Sequence, residues 1–475
     1  MFNVTEYQVI GDGVTNNTKA IAALIDVVEK AGGGTIYFPA GEYVTGTITL
    51  KSNMTLYLDA GAVILGSENR EEYPFIDSKK IPGWDGVTKA AIITAFNAQN
   101  IAVMGRGKID GRGYNWWHKS TDGTTRDGRP RTLQFFSCDN IRIDGITIVN
   151  SPMWTIHPVC SNNITVHGVT IKNPWDSPNT DGINPESCSN VHISNCHIDV
   201  GDDCITIKSG TQNDSYQRLK PCENITVTNC TMVNGHGGVV IGSEMSGGVK
   251  NVVISNCVFG GTDRGIRIKT RRKRGGTVED VRVTNIVMNE VFCPIVINGF
   301  YQCGAKPYEV EELFSREKAA FSDDTPTFKN IYISNVTARG CTSAACFMMG
   351  IPESPITGVS IDNFVVDMKQ GEVKPEQPAM AYGIPEMSKQ GMKLLNVKDV
   401  TLKNIRVAVF DDNAVTIEDS EDITMDSIII NSSVPGKPVI SLKNVSNAYI
   451  TKGISGAKLE GEFVHEENCS DIAVK

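Results

Sequence analysis

Short segments that alternate apolar and polar positions recur along the chain. Those that read NIRIDGI, NITVHGV, NVHISNC, NITVTNC, NVVISNC and NIYISNV begin at Asn140, Asn163, Asn190, Asn224, Asn251 and Asn330. In the same register, DVRVTNI, DVTLKNI and DITMDSI begin at Asp280, Asp399 and Asp422. Alternation with a period of two predicts strands with one inward face, and the repeat is too short for a helix between strands. The pattern therefore predicts stacked coils of parallel strands, an all-β solenoid.

The position six residues after the start of each segment is also apolar. We expect these residues to form one internal stack: Ile146, Val169, Cys196, Cys230, Cys257, Ile286, Val336, Ile405 and Ile428. Burial as small apolar groups accounts for the three cysteines without redox or metal chemistry. The leading asparagines are expected to form a hydrogen-bonded ladder at a turn.

Two stretches depart from the repeat. The first lies within residues 1–50, where Thr18 to Ala31 shows helical spacing of apolar residues before Gly32-Gly33-Gly34. We predict an N-terminal capping helix there, because a solenoid must cover its open end. The second is residues 305–325, where EVEELFSREK (309–318) predicts a short helical insertion on a loop. Since no Pro-rich or Ser-rich linker interrupts the chain, a single β-helix domain is predicted over residues 1–475.

Composition narrows the possible partners and compartment. The net charge of −9 and pI of about 5.4 give no global reason to expect nucleic acid or an anionic membrane surface as a partner. No apolar stretch reaches transmembrane length, and residues 1–6 lack the features of a signal peptide, so a cytoplasmic location is expected. The 13 cysteines do not suggest a disulfide scaffold, and no CxxC pair indicates zinc.

Candidate chemistry is concentrated in the middle of the chain. The motifs are NTD at 179–181, GDDC at 201–204, GHG at 235–237 and RIK at 267–269. They are separated by roughly 20 to 35 residues, about the length of one solenoid coil. If each motif lies on its own coil, stacking would bring them into one surface patch.

The motifs supply three carboxylates, Asp181, Asp202 and Asp203. Like charges held close together raise at least one pKa, which would provide an acid for a leaving oxygen and a base for water. Asp202 and Asp203 would face opposite sides of a regular strand, but a bend at Gly201 could bring both to one cleft.

The other motifs supply a histidine and two fixed cations. His236 lies between glycines, open to a ligand, and could hydrogen-bond a carboxylate or a sugar hydroxyl. Arg267 and Lys269 alternate on a predicted strand and would share one face, suited to the carboxylate of a sugar acid such as galacturonate. For the basic run Arg271 to Arg274, a solvated loop and substrate contact are equally good hypotheses.

The four motifs, in this order, resemble those of glycoside hydrolase family 28, the polygalacturonases. The chain opening, with Gly11-Asp12-Gly13, also resembles the wider pectin-lyase-like β-helix group. The resemblance implies a right-handed parallel β-helix that hydrolyses α-1,4 bonds between galacturonic acid residues with inversion, with neither a metal nor a cofactor. In such an inverting enzyme, acid and base lie about 6.5–9.5 Å apart, which leaves room for water.

The resemblance also implies roles for particular residues. Asp202 would be the general acid, Asp181 and Asp203 would position and deprotonate the attacking water, and His236 would support the acid. The substrate-binding residues implied are Arg267, Lys269, Tyr301, Asn179 and Glu244.

Two segments resemble the bacterial exo-acting branch of the family: IGSEMSGG at 241–248 and SPMWT at 151–155. That branch closes one end of its cleft with loops and removes sugars from the non-reducing end. The insertion at 309–318 could be such a wall. A cytoplasmic enzyme of this kind would act on imported short oligogalacturonides.

Other functions remain open. The chain could hydrolyse another pectic backbone, such as rhamnogalacturonan or xylogalacturonan, since Arg267 and Lys269 do not define the second sugar. A pectate lyase would need a calcium site and a basic residue that abstracts a proton, and the carboxylates fit hydrolysis better. A non-catalytic glycan-binding β-helix would explain the repeat and the basic patch, but not the grouping of Asp181, Asp202, Asp203 and His236.

Overall fold

The computed structural model of the protein describes residues 1–76, 88–117, 128–212, 219–408, 410–430, 434–451 and 461–475. These residues form two compact units, unit 1 (Met1–Gly235) and unit 2 (His236–Lys475). The helices are α1 (Thr18–Lys30), α2 (Tyr114–Trp117) and α3 (Val310–Phe314), with 3-10 turns at Val4–Tyr7, Arg70–Glu72 and Pro307–Glu309. That a single domain spans the chain stays a prediction.

In unit 1, short strands of successive coils pair in parallel, and the described strands form three series. The first contains Ile48–Leu50, Ile93–Phe96, Leu133–Phe136 and Ile156–Val159, and isolated bridges extend it through residues 183–186 to Ile205–Ile207 and Lys208. The second contains Phe2–Asn3, Gly34–Phe38, Met54–Leu58, Gln99–Gly105, Asp139–Asp144, Asn162–His167, Ser189–Ser194 and Cys222–Thr228. The third contains Asp12–Asn16, Gly41–Thr45, Ala62–Gly66, Lys108–Asp110, Thr147–Val149, Thr170–Lys172, His197–Val200 and Thr231–Asn234. An antiparallel pair, Phe75–Ile76 with Thr88–Lys89, lies outside them.

Unit 2 has the same parallel pairing with longer strands. One series contains Val239–Gly242, Arg264–Lys269, Cys293–Asn298, Ala344–Met349 and Gln390–Leu395. The other contains Val249–Gly260, Thr277–Asn289, Thr327–Cys341, Ile356–Met368, Val397–Ala408, Val415–Ile430, Ile440–Ile450, Val464–Glu467 and Ser470–Val474. The predicted parallel β-solenoid is therefore present in each unit.

The predicted internal stack is confirmed in unit 2, and in unit 1 the predicted positions are buried. In unit 2, residues in direct register across adjacent strands are Cys257, Ile286, Val336, Phe364, Ile405 and Ile428. All six are buried, as are Ile146, Val169, Cys196 and Cys230 in unit 1. The three cysteines therefore act as small apolar core residues.

The asparagine ladder is also present, and the backbone explains why asparagine recurs. Asn190 donates a hydrogen bond to Asn163 (3.3 Å), and Asn224 donates one to Asn190 (3.2 Å). The leading residue of every repeat segment has a positive φ, between 52° and 59°. Asn and Asp adopt this left-handed conformation more readily than other residues with a side chain, so the turn selects them.

The two departures from the repeat are helical. The predicted helix is present as α1, which buries the apolar residues at helical spacing, Ile21, Leu24, Ile25 and Val28. Its role as a cap stays a prediction. In the insertion, α3 covers only Val310–Phe314 and buries Leu313 and Phe314. The helix is thus shorter than the predicted 309–318, because the polar residues after Phe314 have no buried face to present. Among the described residues, no helix has the length and apolar character needed to cross a membrane.

Candidate active site

The two adjacent aspartates of the GDDC motif lie at a bend that follows the strand His197–Val200. Asp203 is buried, Asp202 is half-buried, and the Asp203 backbone N–H donates to Asp202 Oδ1 at 3.0 Å. A Cβ atom on Gly201 would lie 2.4 Å from the carbonyl oxygen of Ser177, so this position has no room for a side chain. The bend predicted at Gly201 therefore exists, and the two carboxylates are not placed as in a regular strand.

Asp181 is the buried member of the acidic cluster. Its Oδ2 accepts hydrogen bonds from Asn184 Nδ2 (2.8 Å) and Thr206 Oγ1 (3.2 Å). Burial raises the pKa of Asp181 to about 7, and the negative charges of Asp202 and Asp203 add to the rise. The structure thus gathers the three predicted carboxylates in unit 1, where the cluster retains a proton near neutral pH.

Asn179 connects the cluster to a buried arginine. Its Nδ2 donates to Asp202 Oδ2 at 3.3 Å, and its Oδ1 accepts from Arg129 Nη2 at 2.6 Å. Arg129 Nη1 also donates to the carbonyl oxygens of Pro152 (3.2 Å) and Pro178 (2.7 Å). Asn179, which has a φ of 55°, therefore helps to orient the Asp202 carboxylate.

In unit 2, the two cations of the RIK motif lie around an aromatic ring. Both project from the strand Arg264–Lys269 and are almost fully buried. The Arg267 Cζ lies 5.7 Å and the Lys269 Nζ 5.2 Å from the centroid of the Tyr301 ring. The Tyr301 backbone N–H donates to the Thr270 carbonyl oxygen at 3.0 Å. Arg267, Lys269 and Tyr301 are therefore grouped as the sequence predicts.

The remaining two predicted residues, His236 and Glu244, also lie in unit 2. The His236 side chain is exposed, and its carbonyl oxygen accepts from Arg267 Nη1 at 3.3 Å. Glu244 is half-buried beyond the strand Val239–Gly242, with Oε2 3.5 Å from Ser243 Oγ. The predicted site is thus described as an acidic group in unit 1 and a cationic group in unit 2.

The basic run after the RIK motif has a structural role that neither sequence hypothesis described. Arg271 donates to the carbonyl oxygens of Cys303 (2.5 Å) and Gly304 (3.1 Å). Arg272 forms a paired contact with Glu353, with Nε–Oε1 at 2.5 Å and Nη2–Oε2 at 2.8 Å. Both arginines are buried, so they anchor the chain around them and do not form a solvated loop.

A loop that sequence reasoning missed borders the cationic group. We call residues 369–389 the Met380 loop; it lies between the strands Ile356–Met368 and Gln390–Leu395. Met380 Sδ is 3.0 Å from Arg267 Nη2, and the Met380 carbonyl accepts from the Gln302 N–H at 3.2 Å. Ala381 pairs with Tyr301 in an antiparallel bridge. Met380 follows Arg267 by 113 residues, and no motif marks it.

Three other residues near the acidic cluster were not predicted, although the sequence contains a weak indication of each: Asn184, Thr206 and Lys208. Asn184 and Thr206, which hold Asp181, lie close after the NTD and GDDC motifs. Thr206-Ile207-Lys208 also has the alternation of Arg267-Ile268-Lys269, which would have placed Thr206 and Lys208 on one face.

A parallel β-helix with clustered aspartates and a buried Arg–Lys pair is typical of enzymes that hydrolyse acidic polysaccharides. The sequence profile of Glycosyl hydrolases family 28 matches residues 35–374. A probable polygalacturonase of Vitis vinifera is 33% identical over 377 residues, which cover 77% of this chain and 74% of that protein. The chain belongs to glycosyl hydrolases family 28.

Two further relatives differ in their mode of action. An endo-polygalacturonase of Pectobacterium carotovorum subsp. carotovorum is 30% identical over 272 residues, 55% of this chain and 66% of that protein. The crystal structure of a hyperthermoactive exopolygalacturonase from Thermotoga maritima superposes with a TM-score of 0.68 at 29% identity, covering 78% of this chain and 87% of that one. The predicted fold class, a right-handed parallel β-helix, is confirmed by this likeness.

Proposed function

We propose that this protein is a polygalacturonase that hydrolyses α-1,4 bonds between galacturonate units of oligogalacturonides, with inversion. The observation that carries the proposal is the acidic cluster, in which buried Asp181 has a pKa raised to about 7 beside Asp202 and Asp203. Such a cluster holds one proton for a leaving oxygen while its other members stay ionised to activate water.

The exposure of the three carboxyls supports a division of roles. Asp202 is the most exposed member and is oriented by Asn179, which suits a general acid that must reach the leaving oxygen. Asp181 and Asp203 are buried and would position and deprotonate the water. Exposed His236 would support the acid.

The cationic group supports an acidic substrate. Arg267 and Lys269 lie together at the Tyr301 ring, an arrangement that can bind a sugar carboxylate through charge-assisted hydrogen bonds. Family relatives include polygalacturonases from plants and bacteria. A hydrolase of another pectic backbone is the less supported alternative.

We further propose exo action from the non-reducing end. Two loops of unit 2 contact each other close to Tyr301: the insertion loop (residues 305–325) and the Met380 loop. The rings of Phe314 and Tyr382 stack with centroids 4.5 Å apart, and Arg316 Nη2 donates to the Tyr382 carbonyl at 2.7 Å. Such a wall would limit substrate to a chain end. The match to the Thermotoga maritima exopolygalacturonase also favours this mode, and the cytoplasmic location stays a prediction.

A time course on defined oligogalacturonides tests these proposals, with products separated by chromatography. We expect monogalacturonate alone from the earliest times. A spread of intermediate lengths would contradict exo action, and unsaturated products would indicate a lyase. No product at all would contradict the proposed substrate and direct attention to other pectic backbones.

The Asp202→Asn variant tests catalysis itself. We expect hydrolysis to fall by orders of magnitude while oligogalacturonide binding persists, because the acid is lost and the binding cations remain. Asp176→Asn is the matched control, since Asp176 is exposed in the same part of unit 1. Unchanged hydrolysis by Asp202→Asn would contradict the assignment of the general acid.

A further inference from the structure

The SPMWT motif contributes a tryptophan that the proposed mechanism does not use. Trp154 is buried, and the residues around it include two cations. The Arg131 Cζ lies 5.1 Å and the Lys208 Nζ 4.9 Å from the centroid of the Trp154 ring. A guanidinium and an ammonium thus lie at one aromatic ring in unit 1.

This group resembles the cationic group of unit 2, in which an arginine and a lysine also lie at one aromatic ring. There, Arg267 and Lys269 lie 5.7 Å and 5.2 Å from the Tyr301 ring centroid. The burial also matches: Arg131 and Lys208 are 3% and 4% exposed, and Arg267 and Lys269 are 1% and 5% exposed. Among the described residues there are therefore two Arg–Lys–aromatic groups, and the substrate-binding residues implied by the family resemblance account for the one in unit 2.

Buried hydrogen bonds fix the unit 1 group in place. The His157 ring meets the Trp154 ring edge-on, with centroids 4.8 Å apart. Gln134 Nε2 lies 2.9 Å from His157 Nδ1, and His157 Nε2 lies 2.8 Å from Glu186 Oε2. Residue Glu186 in turn bridges to Lys208 through the parallel backbone. These contacts of His157 and the backbone bridge from Glu186 hold Trp154 and Lys208 in one arrangement before substrate binds.

The group also lies beside the acidic cluster. Thr206, which hydrogen-bonds Asp181, and Lys208 are two residues apart on the segment after the GDDC motif. The Thr155 N–H, next to Trp154, donates to the Asp181 carbonyl oxygen at 2.8 Å. The positive charge of Lys208 is close enough to oppose the rise in the Asp181 pKa.

We propose that Arg131, Trp154 and Lys208 bind the carboxylate of the galacturonate unit beside Asp181. In the proposed function, Arg267, Lys269 and Tyr301 bind the carboxylate of a different unit. This inference rests on the proposed function, because it assumes an oligogalacturonide substrate. It makes the enzyme select a free galacturonate over its methyl ester at the unit beside Asp181.

The test compares digalacturonate with its two monomethyl esters, each esterified on one unit. The wild-type protein should cleave both esters more slowly than digalacturonate, because each ester removes one charge-assisted contact. Lys208→Met should lower kcat/KM on digalacturonate by roughly 10- to 150-fold, the range for a hydrogen bond to a charged group. Lys208→Met should cleave digalacturonate no faster than the monoester that lacks the carboxylate bound by Lys208, and should still cleave the other monoester more slowly. Lys208→Arg should cleave both monoesters more slowly than digalacturonate, as the wild-type protein does.

The controls separate this inference from other causes of lost activity. Lys19→Met changes an exposed lysine of α1 and should match the wild type on all three substrates. If Lys208→Met lowers kcat/KM by one factor on all three substrates and shifts the pH profile, Lys208 only tunes Asp181, and the inference is wrong. If the wild-type protein cleaves none of the three or longer oligogalacturonides, the proposed function itself fails. Thermal unfolding of Lys208→Met and Lys208→Arg checks that both variants fold.

Discussion

At the scale of single residues, the acidic cluster places function in conflict with stability. Asp181 has an ordinary pKa of 3.8, and the folded protein raises it to about 7, mainly through burial. The folded state therefore binds the Asp181 proton more tightly than the unfolded state does. Stability from this residue is fully present at low pH and is lost as the pH rises from about 4 to about 7. Above that range, the fold holds a buried charge, which the proposed mechanism uses.

Asp181→Asn should remove this conflict. The amide oxygen can still accept from Asn184 and Thr206, but the side chain no longer ionises. We expect the variant to be more stable than the wild type at pH 8.5, by up to the order of 4 kcal/mol, and to gain much less at pH 4. Thermal unfolding at the two pH values measures the difference. Asp26→Asn, at an exposed position on α1, is the control. An equal shift in Tm at both pH values would contradict the burial of the charge.

The sequence predicted the candidate site residues that lie in motifs, but not the residues elsewhere in the chain that contact them. Asp181, Asp202, Arg267 and Lys269 stand in short motifs at coil spacing, so the repeat alone suggests that they stack. Met380 contacts Arg267 from a loop without a pattern, 113 residues further along the chain. Such contacts depend on how a long connection folds back, which local periodicity does not encode.

At the scale of elements, each repeat segment is defined by its turns as much as by its strand. Its leading residue has positive φ, and so does the residue five positions later, as in Gly145, Asn195, Asn285 and Ser427. The sequence predicts the alternating strand, because apolar and polar residues alternate along it with a period of two. The alternation does not reveal the second turn, and the recurrence of Gly and Asn there reflects the left-handed backbone.

The basic run is an element that holds its surroundings together. Besides the pair with Glu353, Arg272 donates to the carbonyl oxygens of Ser315 (2.6 Å) and Glu317 (3.2 Å) in the insertion loop. Its guanidinium is 8% exposed and the Glu353 carboxylate 2% exposed. A buried pair with satisfied hydrogen bonds fixes geometry, and removal of one partner leaves the other charge uncompensated.

Arg272→Met should therefore destabilise unit 2 and release the insertion loop. We expect a loss of roughly 3–5 kcal/mol in the free energy of unfolding, because the Glu353 charge stays buried without its partner. Hydrogen exchange of residues 313–319 should rise together with this loss. Lys273→Met is the matched control, since the neighbouring Lys273–Glu312 pair is exposed and should contribute less than about 1 kcal/mol. Equal effects of the two substitutions would show that Arg272 does not anchor the loop.

At the scale of the whole molecule, the question is whether the enzyme cuts chains internally or from an end. The parallel β-helix is shared with endo- and exo-acting relatives, so the fold does not decide between them. We therefore look to the loops carried on the coils, and in unit 2 two such loops meet over Phe300 and Tyr301. Arg316 reaches both the Phe300 ring, 4.2 Å from its centroid, and the Tyr382 carbonyl.

Weakening the contacts between the insertion loop and the Met380 loop should change the products more than the catalytic rate. The double variant Arg316→Met/Tyr382→Ala removes the guanidinium contacts and the ring stack, yet leaves buried Phe314 in the core. If the wild-type protein releases only monogalacturonate as proposed, we expect the variant to produce intermediate oligogalacturonides early, because the proposed wall no longer limits substrate to a chain end. Phe321→Ala, an exposed position of the same insertion loop, should leave the products unchanged. Chromatography of early products measures the outcome, and hydrogen exchange verifies that the loops have loosened. Monogalacturonate as the sole product despite loosened loops would show that this wall does not set the mode of action.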